Sequence, residues 1–358
     1  MSVFNHPEFE RHESVHFFED SDSGLRAIVS IHSTTLGPAA GGCRRWSYAN
    51  DTDALTDALR LSRGMSYKNA IAGLPFGGGK AVILGDQAPS GSPALFTAFG
   101  QAINSLDGRY ITAEDVGVSV DDMRHVRRET PFVSGLPQTG SNAGGDPSPW
   151  TALGVFMGIQ AAVKTRLSAD SLNGLKIGVQ GVGNVGYHLC RLLHAVGADL
   201  FVADVSKANL KRVRDEVPAT EVPADELLFT DVDVLAPCAL GGVLNSDTIP
   251  RIRAKVIAGA ANNQLASADD GSLLTSHDIL YAPDYVINAG GIISVAREYL
   301  GVSSENEVMT EVNRIPERLQ SIFKQSRLTN RPTNQIADEW ARHILSGVQE
   351  FRPVAVNA

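Results

Sequence analysis

The sequence predicts an α/β protein of two domains, and three observations predict it. With 358 residues the chain exceeds what one ordinary hydrophobic core holds. From Trp150 onward, short apolar runs suited to strands alternate with amphipathic helical stretches, the pattern of a parallel sheet covered on both faces. Within that region Gly181, Gly183 and Gly186 stand between a predicted strand and a predicted helix, the place for the glycine turn of a Rossmann-type sheet.

The elements follow in order. Ala27-Ile-Val-Ser-Ile-His32 alternates as a strand does. Residues 53–63 place Leu55, Ala58 and Leu59 at helical spacing, with Asn50 or Thr52 as the cap. Ala81-Val-Ile-Leu84 and Arg109-Tyr-Ile-Thr112 read as strands. Between 133 and 149 the sequence turns to Gly, Pro, Ser and Asn, which marks a hinge or linker and sets a first domain of 1–140. The second domain, 141–329, starts with a helix over 151–166. Strands Leu175-Lys-Ile-Gly-Val-Gln180 and Asp199-Leu-Phe-Val-Ala-Asp204 follow, each with a helix after it, over 185–196 and 207–217. Further β segments end at Ala236, Gly259 and Pro283. Beyond Gly291 the chain reads as helical to about Leu345, with Pro316 kinking one helix and a tail past Phe351 that frays.

Composition excludes several classes. An apolar fraction of 43% and a charged fraction of 20% are those of a soluble globular protein. The net charge of -9, with no basic stripe, argues against nucleic acid as a partner. The polar, acidic N-terminus is no signal peptide, and no apolar run approaches the length of a membrane span. Cys43, Cys190 and Cys238 are odd in number and far apart, which fits free thiols in a reducing cytoplasm better than a disulfide framework. None stands in a metal-ligand spacing, so no metal is expected.

Gly181-Val-Gly-Asn-Val-Gly186 is read as a dinucleotide loop because of its context. The first glycine makes the tight turn, the second admits the pyrophosphate, and the third lets helix and strand pack closely. Asn184 and Val185 open the helix whose positive end and free N–H groups meet the phosphates. Asp204 ends the next strand, where a carboxylate binds both hydroxyls of the adenosine ribose. A 2′-phosphate would face like charge there, so NAD is expected over NADP, although Lys207 stands near enough in sequence to soften that exclusion.

Lys68 and Lys80 share one apolar, glycine-rich stretch, Gly64-Met-Ser-Tyr-Lys-Asn-Ala-Ile-Ala-Gly-Leu-Pro-Phe-Gly-Gly-Gly-Lys-Ala-Val-Ile83. An ammonium in low dielectric loses its preference for the charged form, and a second ammonium nearby pushes the same way. One lysine of such a pair exchanges protons near neutrality while the other holds an anion. The run from Gly77 to Gly79 would let backbone approach a ligand. The plainer alternative has both lysines reaching from a loop to solvent. Asp115, after Arg109-Tyr-Ile-Thr-Ala-Glu114, forms a proton relay beside such a lysine, or merely caps a helix at Ser119-Val-Asp-Asp122. Asn288, in Val286-Ile-Asn-Ala-Gly-Gly291, offers an amide to a ligand or is an ordinary turn residue.

These residues sit in a pattern that resembles the leucine dehydrogenase branch of the glutamate/leucine/phenylalanine/valine dehydrogenase superfamily. The matching segments include Leu36-Gly-Pro-Ala-Ala-Gly-Gly42, Arg63-Gly-Met-Ser-Tyr-Lys-Asn-Ala70, Gly77-Gly-Gly-Lys80 and Tyr110-Ile-Thr-Ala-Glu-Asp-Val116. Asp146-Pro-Ser-Pro149, Ala236-Pro-Cys-Ala-Leu-Gly-Gly242, Ala258-Gly-Ala-Ala-Asn-Asn-Gln-Leu265 and Tyr281-Ala-Pro-Asp-Tyr-Val-Ile-Asn-Ala-Gly-Gly291 continue them in family order. The resemblance implies an N-terminal substrate and oligomerisation domain, a Rossmann-type domain and an active site in the cleft between them. It also implies that residues from about 330 to 358 pack back on the first domain, and that the protein is a homo-oligomer.

The activity implied is NAD-dependent, reversible oxidative deamination of a small-molecule L-amino acid. By matching position Lys68 and Asn288 hold the substrate carboxylate, helped by backbone at Gly41 and Gly42. Lys80 activates the water that attacks the imine carbon, and Asp115 holds the amino group and relays protons. Thr151 and Asn262 contact the nicotinamide side, and Ala239 lies with the cofactor. Ala40, Ala113, Ile292 and Val295 line the side-chain pocket. Glutamate-specific relatives carry a lysine where Ala40 stands, so glutamate is expected to be rejected and leucine, isoleucine or valine accepted. Ala40 replaces the leucine usual in leucine dehydrogenases and is shared with some phenylalanine enzymes, which leaves phenylalanine or tryptophan as the alternative, with Ile292, larger than the usual valine, filling part of the space. A nucleotide-binding protein without turnover is the remaining reading. Trp150 has no explanation at this level.

Overall fold

A computed structural model describes residues 3–85, 92–136, 146–301 and 304–347. The chain divides into two units. The first takes Met1–Gly145, Val295–Glu305 and Ala341–Glu350, and the second takes Asp146–Ser294 and Asn306–Trp340.

The first unit is built on β1 (Ser14–Asp20), β2 (Leu25–Ser33), β3 (Ala39–Ala40), β4 (Cys43–Trp46), α1 (Asp51–Ile71), β5 (Gly77–Leu84), α2 (Pro93–Asn104), β6 (Tyr110–Ile111) and α3 (Val120–Glu129). The sheet runs β1-β2-β5-β3-β6, with β4 also paired to β5. The links β1–β2 and β2–β5 are antiparallel, while β3 and β4 run parallel to β5. Because side chains alternate along a strand, β2 feeds two cores. Ala27, Val29 and Ile31 pack with Phe96, Phe99, Met123 and Val126. Ile28 on the other face packs with Val82, Ala54 and Ala58 under α1.

Helix α1 is longer than the predicted 53–63. Asn50 caps it, accepting from the Asp53 amide at 3.0 Å, and it continues through the stretch read as glycine-rich chain. Gly64, where an added Cβ would meet nothing within 4 Å, costs a helix only about 1 kcal/mol. Lys68 is therefore helical, in the last turn, not on a loop.

The second unit begins with α4 (Ser148–Leu167), β7 (Lys176–Gln180), α5 (Asn184–Ala195), β8 (Asp199–Ala203), α6 (Lys207–Arg214) and β9 (Thr220–Glu221). It continues with β10 (Val234–Pro237), β11 (Val256–Ile257), α7 (Asp270–Ser276), β12 (Leu280–Tyr281) and α8 (Asp284–Ile287). The helices α9 (Gly290–Tyr299), α10 (Glu305–Val312), α11 (Ile315–Thr329) and α12 (Thr333–Leu345) complete the chain, α9 and α12 being shared with the first unit. Six parallel strands form its sheet in the order β12-β11-β10-β7-β8-β9, so the order reverses beside β7. Ligands of open α/β sheets bind at such a reversal, outside the strands' carboxyl ends.

Three expectations change. Pro316 begins α11 and kinks nothing, since the first turn needs no amide hydrogen there. Val295–Glu305 counts with the first unit, where Glu298 accepts from the Leu136 amide at 3.1 Å and the Tyr299 ring lies 5.9 Å from that of Phe76. The start of α12, expected to pack on the first domain, belongs to the second. Thr333 there donates to the Tyr281 carbonyl at 2.7 Å, Asn334 to the Ala268 carbonyl, and the Tyr285 hydroxyl to Asp338. Much of the expected hinge, and the tail past Phe351, lie outside the described residues. No described helix is long and apolar enough to cross a membrane. Among the described residues no group of three metal-ligating side chains comes together.

Candidate active site

In the first unit the site is organised by β5, all eight of whose residues are buried. Its glycines are fixed by packing. A Cβ on Gly77 would lie 1.8 Å from the Ser33 carbonyl oxygen, one on Gly78 2.0 Å from the Ser66 amide, and one on Gly79 2.6 Å from the Tyr110 ring. The room expected for a ligand at these glycines is thus filled by protein. Gly41 and Gly42 are confined in the same way, by the Gly79 carbonyl at 1.9 Å and the Glu114 carbonyl at 2.7 Å. The Gly41 amide donates to the Ile111 carbonyl, and its carbonyl accepts from the Tyr110 hydroxyl at 2.5 Å. Little of its backbone is left for a substrate carboxylate.

Lys80, 5% exposed, emerges from this strand and donates from Nζ to Asp115 Oδ2 at 2.5 Å. A buried ammonium needs such a partner. The partner that holds Lys80 is a carboxylate. Asp115 does not cap the helix after it: Ser119 and Asp122 form a capping box on α3. Burial works to raise the Asp115 carboxyl, but Lys80, then Arg44, and the Val116 amide outweigh it and hold the group below the usual carboxylate range. Arg44, on β4, went unnoticed in the sequence. Its Nε lies 3.4 Å from Asp115 Oδ2, and its Nη1 donates to Asp57 Oδ2 at 3.0 Å. Lys68, Ala40 and Ala113 are partly buried in the same unit, Ala40 on β3 and the Ala113 carbonyl accepting from the Cys43 amide.

In the second unit the three loop glycines separate by what surrounds them. Gly181 has φ +88°, and a Cβ there would touch that of Ala239 at 2.6 Å. Gly186 would bring its Cβ within 2.0 Å of the Gly181 carbonyl oxygen, so helix and strand approach closely. Gly183 faces open space and caps α5 with no side-chain hydrogen bond. An uncapped helix start over an open glycine suits a pyrophosphate, so the residues present fit a dinucleotide. Asp204 holds the loop in shape, accepting from the Val182 amide at 2.8 Å, the Ser206 amide at 2.7 Å and the Asn209 amide group. Asn184 Oδ1 accepts from Arg212, and Val185 is partly buried behind it.

Asn288 and Asn262 come together in this unit. Asn288 Nδ2 donates to Asn262 Oδ1 at 2.7 Å and to the Ala260 carbonyl at 3.0 Å, while its own Oδ1 is buried without a hydrogen bond. What remains is an acceptor, which suits an N–H donor rather than the carboxylate expected from the sequence. Thr151 donates to the Pro147 carbonyl, and a Cβ on Gly291 would lie 2.5 Å from its hydroxyl. Ile292 and Val295, both partly buried, stand one turn apart on α9. Trp150 lines an apolar hollow of about 470 Å³ with Pro149, Leu153, His188, Arg191 and Leu192.

Comparison with known proteins brings the two halves under one description. A family model for the Glu/Leu/Phe/Val dehydrogenase dimerisation domain matches residues 11–132, and one for Glutamate/Leucine/Phenylalanine/Valine dehydrogenase matches residues 201–343. The leucine dehydrogenase of Geobacillus stearothermophilus is 48% identical over 353 residues, covering 98% of this chain and 95% of its own. The phenylalanine dehydrogenase of Bacillus thermotolerans is 44% identical over 332 residues, covering 91% and 86%. The crystal structure of L-tryptophan dehydrogenase from Nostoc punctiforme superposes with a TM-score of 0.80 at 44% identity, covering 95% of this chain and 97% of that one.

Proposed function

The chain belongs to the Glu/Leu/Phe/Val dehydrogenase family, and from that premise we propose that it is an NAD-dependent dehydrogenase of branched-chain L-amino acids, working reversibly on leucine, isoleucine or valine. One observation carries the chemistry: a buried lysine paired at 2.5 Å with a carboxylate that burial works to raise and its cations hold down. A bound nicotinamide cofactor, held by the second unit's glycine loop, would supply the acceptor for the substrate's Cα hydride. The chain's own residues manage position and protons. Lys68 holds the substrate carboxylate. Asp115 takes the substrate ammonium, whose arrival gives the carboxylate a new cation and lets the displaced Lys80 ammonium pass its proton to solvent. Lys80 then accepts a proton from the water that attacks the imine carbon, which leads to the 2-oxo acid and ammonia. Asn288, Asn262 and Thr151 serve the nicotinamide side, and the loop from Gly181 to Gly186 with Ala239 holds the diphosphate. Asp204 favours NAD, because a 2′-phosphate would meet its charge.

Ala40, Ala113, Ile292 and Val295 offer aliphatic contact and no cation. An unpaired side-chain carboxylate there costs several kcal/mol, on the order of a thousandfold in rate, so glutamate is rejected. Ala40 also makes room, and relatives acting on phenylalanine and tryptophan are about as similar as those acting on leucine. That supports an aromatic substrate as the second reading. We further place the protein in the cytoplasm as a homo-oligomer, which its three free thiols and the dimerisation-domain match support.

The test is a panel of initial rates at 340 nm with leucine, isoleucine, valine, phenylalanine, tryptophan and glutamate. The expected order puts the aliphatic three first and glutamate at background. Phenylalanine or tryptophan at the head transfers the assignment to the aromatic reading. Lys80→Ala is expected to lose about 10²–10⁴-fold in turnover. Full turnover in that variant rules the mechanism out.

A further inference from the structure

We propose that Arg44 is a positioning residue of this reaction, holding Asp115 as an anion while the Lys80 proton moves; the inference rests on the assignment of Lys80 and Asp115 above. Two cations converge on one oxygen. Lys80 Nζ is 2.5 Å from Asp115 Oδ2, and Arg44 Nε is 3.4 Å from the same atom. They arrive from neighbouring strands, since Arg44 on β4 stands opposite Val82 of β5, two positions past Lys80.

The guanidinium is anchored from behind. Its Nη1 donates to Asp57 Oδ2 at 3.0 Å, and the Tyr48 hydroxyl donates to that oxygen at 2.6 Å. Nε, by contrast, is buried and makes no hydrogen bond, although it lies within ion-pair distance of Asp115. It is a donor left over beside the Asp115 carboxylate.

The two cations differ in permanence. A guanidinium keeps its charge throughout any cycle at ordinary pH, whereas Lys80 must be able to lose and regain a proton. A proton newly taken by Lys80 lies near the carboxylate that Lys80 pairs with at 2.5 Å before substrate arrives, and could cross to it. A neutral Asp115 would then lose its grip on the substrate amino group. Arg44 makes the carboxylate the poorer base, so the proton stays on nitrogen. Cys43 on β4, Tyr48, Tyr110 on β6, Asp57 on α1 and Asp122 on α3 are titratable groups around this cluster, and Glu114 precedes Asp115 in the chain. Burial pushes up the Cys43 thiol and the hydroxyls of Tyr48 and Tyr110, so none of the three ionises where an acid limb is read.

The experiment is the pH profile of kcat/KM for Arg44→Gln and Arg44→Lys, measured with NAD and the best amino acid of the panel. In Arg44→Gln the acid limb should move up by about one to three pH units, the range an adjacent cation imposes on a carboxyl. Activity should fall on the acid side and recover toward the parent as pH rises. Arg44→Lys restores charge without the fork and should move the limb less; it also replaces the glutamine variant in the measurement if that one fails to fold. An acid limb that stays in place in a folded variant overturns the proposal, even where activity drops equally at every pH, because that is what a purely structural arginine would do. Should Lys80→Ala keep its turnover, the assignment of the site fails first. With Lys80→Ala dead and the limb unmoved, only the role of Arg44 fails.

Discussion

A methyl group added at Gly183 meets nothing within 4 Å, and one added at Gly186 lies 2.0 Å from a backbone oxygen. The two positions are glycine for different reasons, and they should fail differently. Gly183→Ala is expected to melt within about 0.5 kcal/mol of the parent, as open-surface changes do, while losing NADH affinity at least about tenfold by fluorescence titration. Gly186→Ala forces backbone apart and should cost about 1–3 kcal/mol of stability. Equal melting points for the two variants would contradict this division. The same residue type misled the reading of Gly77, Gly78 and Gly79, because a sequence shows that a Cβ is missing but not what occupies its place. Ser33, Ser66 and Tyr110 occupy it here. Asn288 shows the matching difficulty for an amide: its partners Ala260 and Asn262 are far off in sequence, and only they reveal that the acceptor end is left over.

At the scale of elements, α1 lies on the sheet through a polar seam rather than a wholly apolar one. His12 bonds the Leu59 carbonyl at 3.0 Å and Ser62, Ser62 bonds Ser30 of β2, and His32 bonds Ser66 at 2.8 Å, with the two imidazoles 4.8 Å apart. Burial lowers His32 to about 4, helped by His12 and Arg63, and burial also lowers His12 against the pull of the Leu59 carbonyl, Glu10 and Glu8. A base whose folded value is depressed favours the fold fully above its ordinary value, near 6.5, and loses that contribution as pH falls toward the folded value. Stability should therefore decline by a few kcal/mol, on the order of 3, between about pH 6.5 and 4. Urea midpoints across that interval measure it, and His32→Asn should flatten the slope; a level profile in the parent protein would remove the seam from the account. None of this seam was legible beforehand. Leu55, Ala58 and Leu59 announced the first half of α1 by spacing, but Gly64, Ser66 and Asn69 dilute the pattern over the second. The two- and four-residue strands β3 and β4 are too short for any period to show, and neither reads as a strand, whereas β6 falls inside the run Arg109-Tyr-Ile-Thr112, which does. Arg44, on one of them, looked like any arginine. The glycine loop between β7 and α5 was legible because strand, glycines, helix and Asp204 follow one another in sequence.

At the scale of the whole molecule, the first unit's sheet offers a place for a second copy of the chain. Strand β1 stands at one end of the strand order, and among the described residues it pairs only with β2, which leaves the outer edge of seven residues unmatched. An exposed edge of that length is a template for pairing unless charge, proline or a cover blunts it. Nothing in Ser14-Val-His-Phe-Phe-Glu-Asp20 is a proline, and Phe17 is 60% exposed although its neighbour Phe18 packs into the core. The dimerisation-domain match, 11–132, includes the strand. A second copy meeting β1 would bury Phe17 and satisfy the edge at once. Phe17→Lys puts a charge on that face without touching Lys80 or the loop at Gly181. It should lower the mass seen by light scattering to a smaller multiple of the chain, with the melting point of the remaining species reporting that the fold survives. An unchanged mass would mean that the copies meet elsewhere and that the Phe17 face is left to solvent. Phe18→Lys serves as the contrast, because it places the same charge into the core and should unfold the first unit rather than divide the assembly.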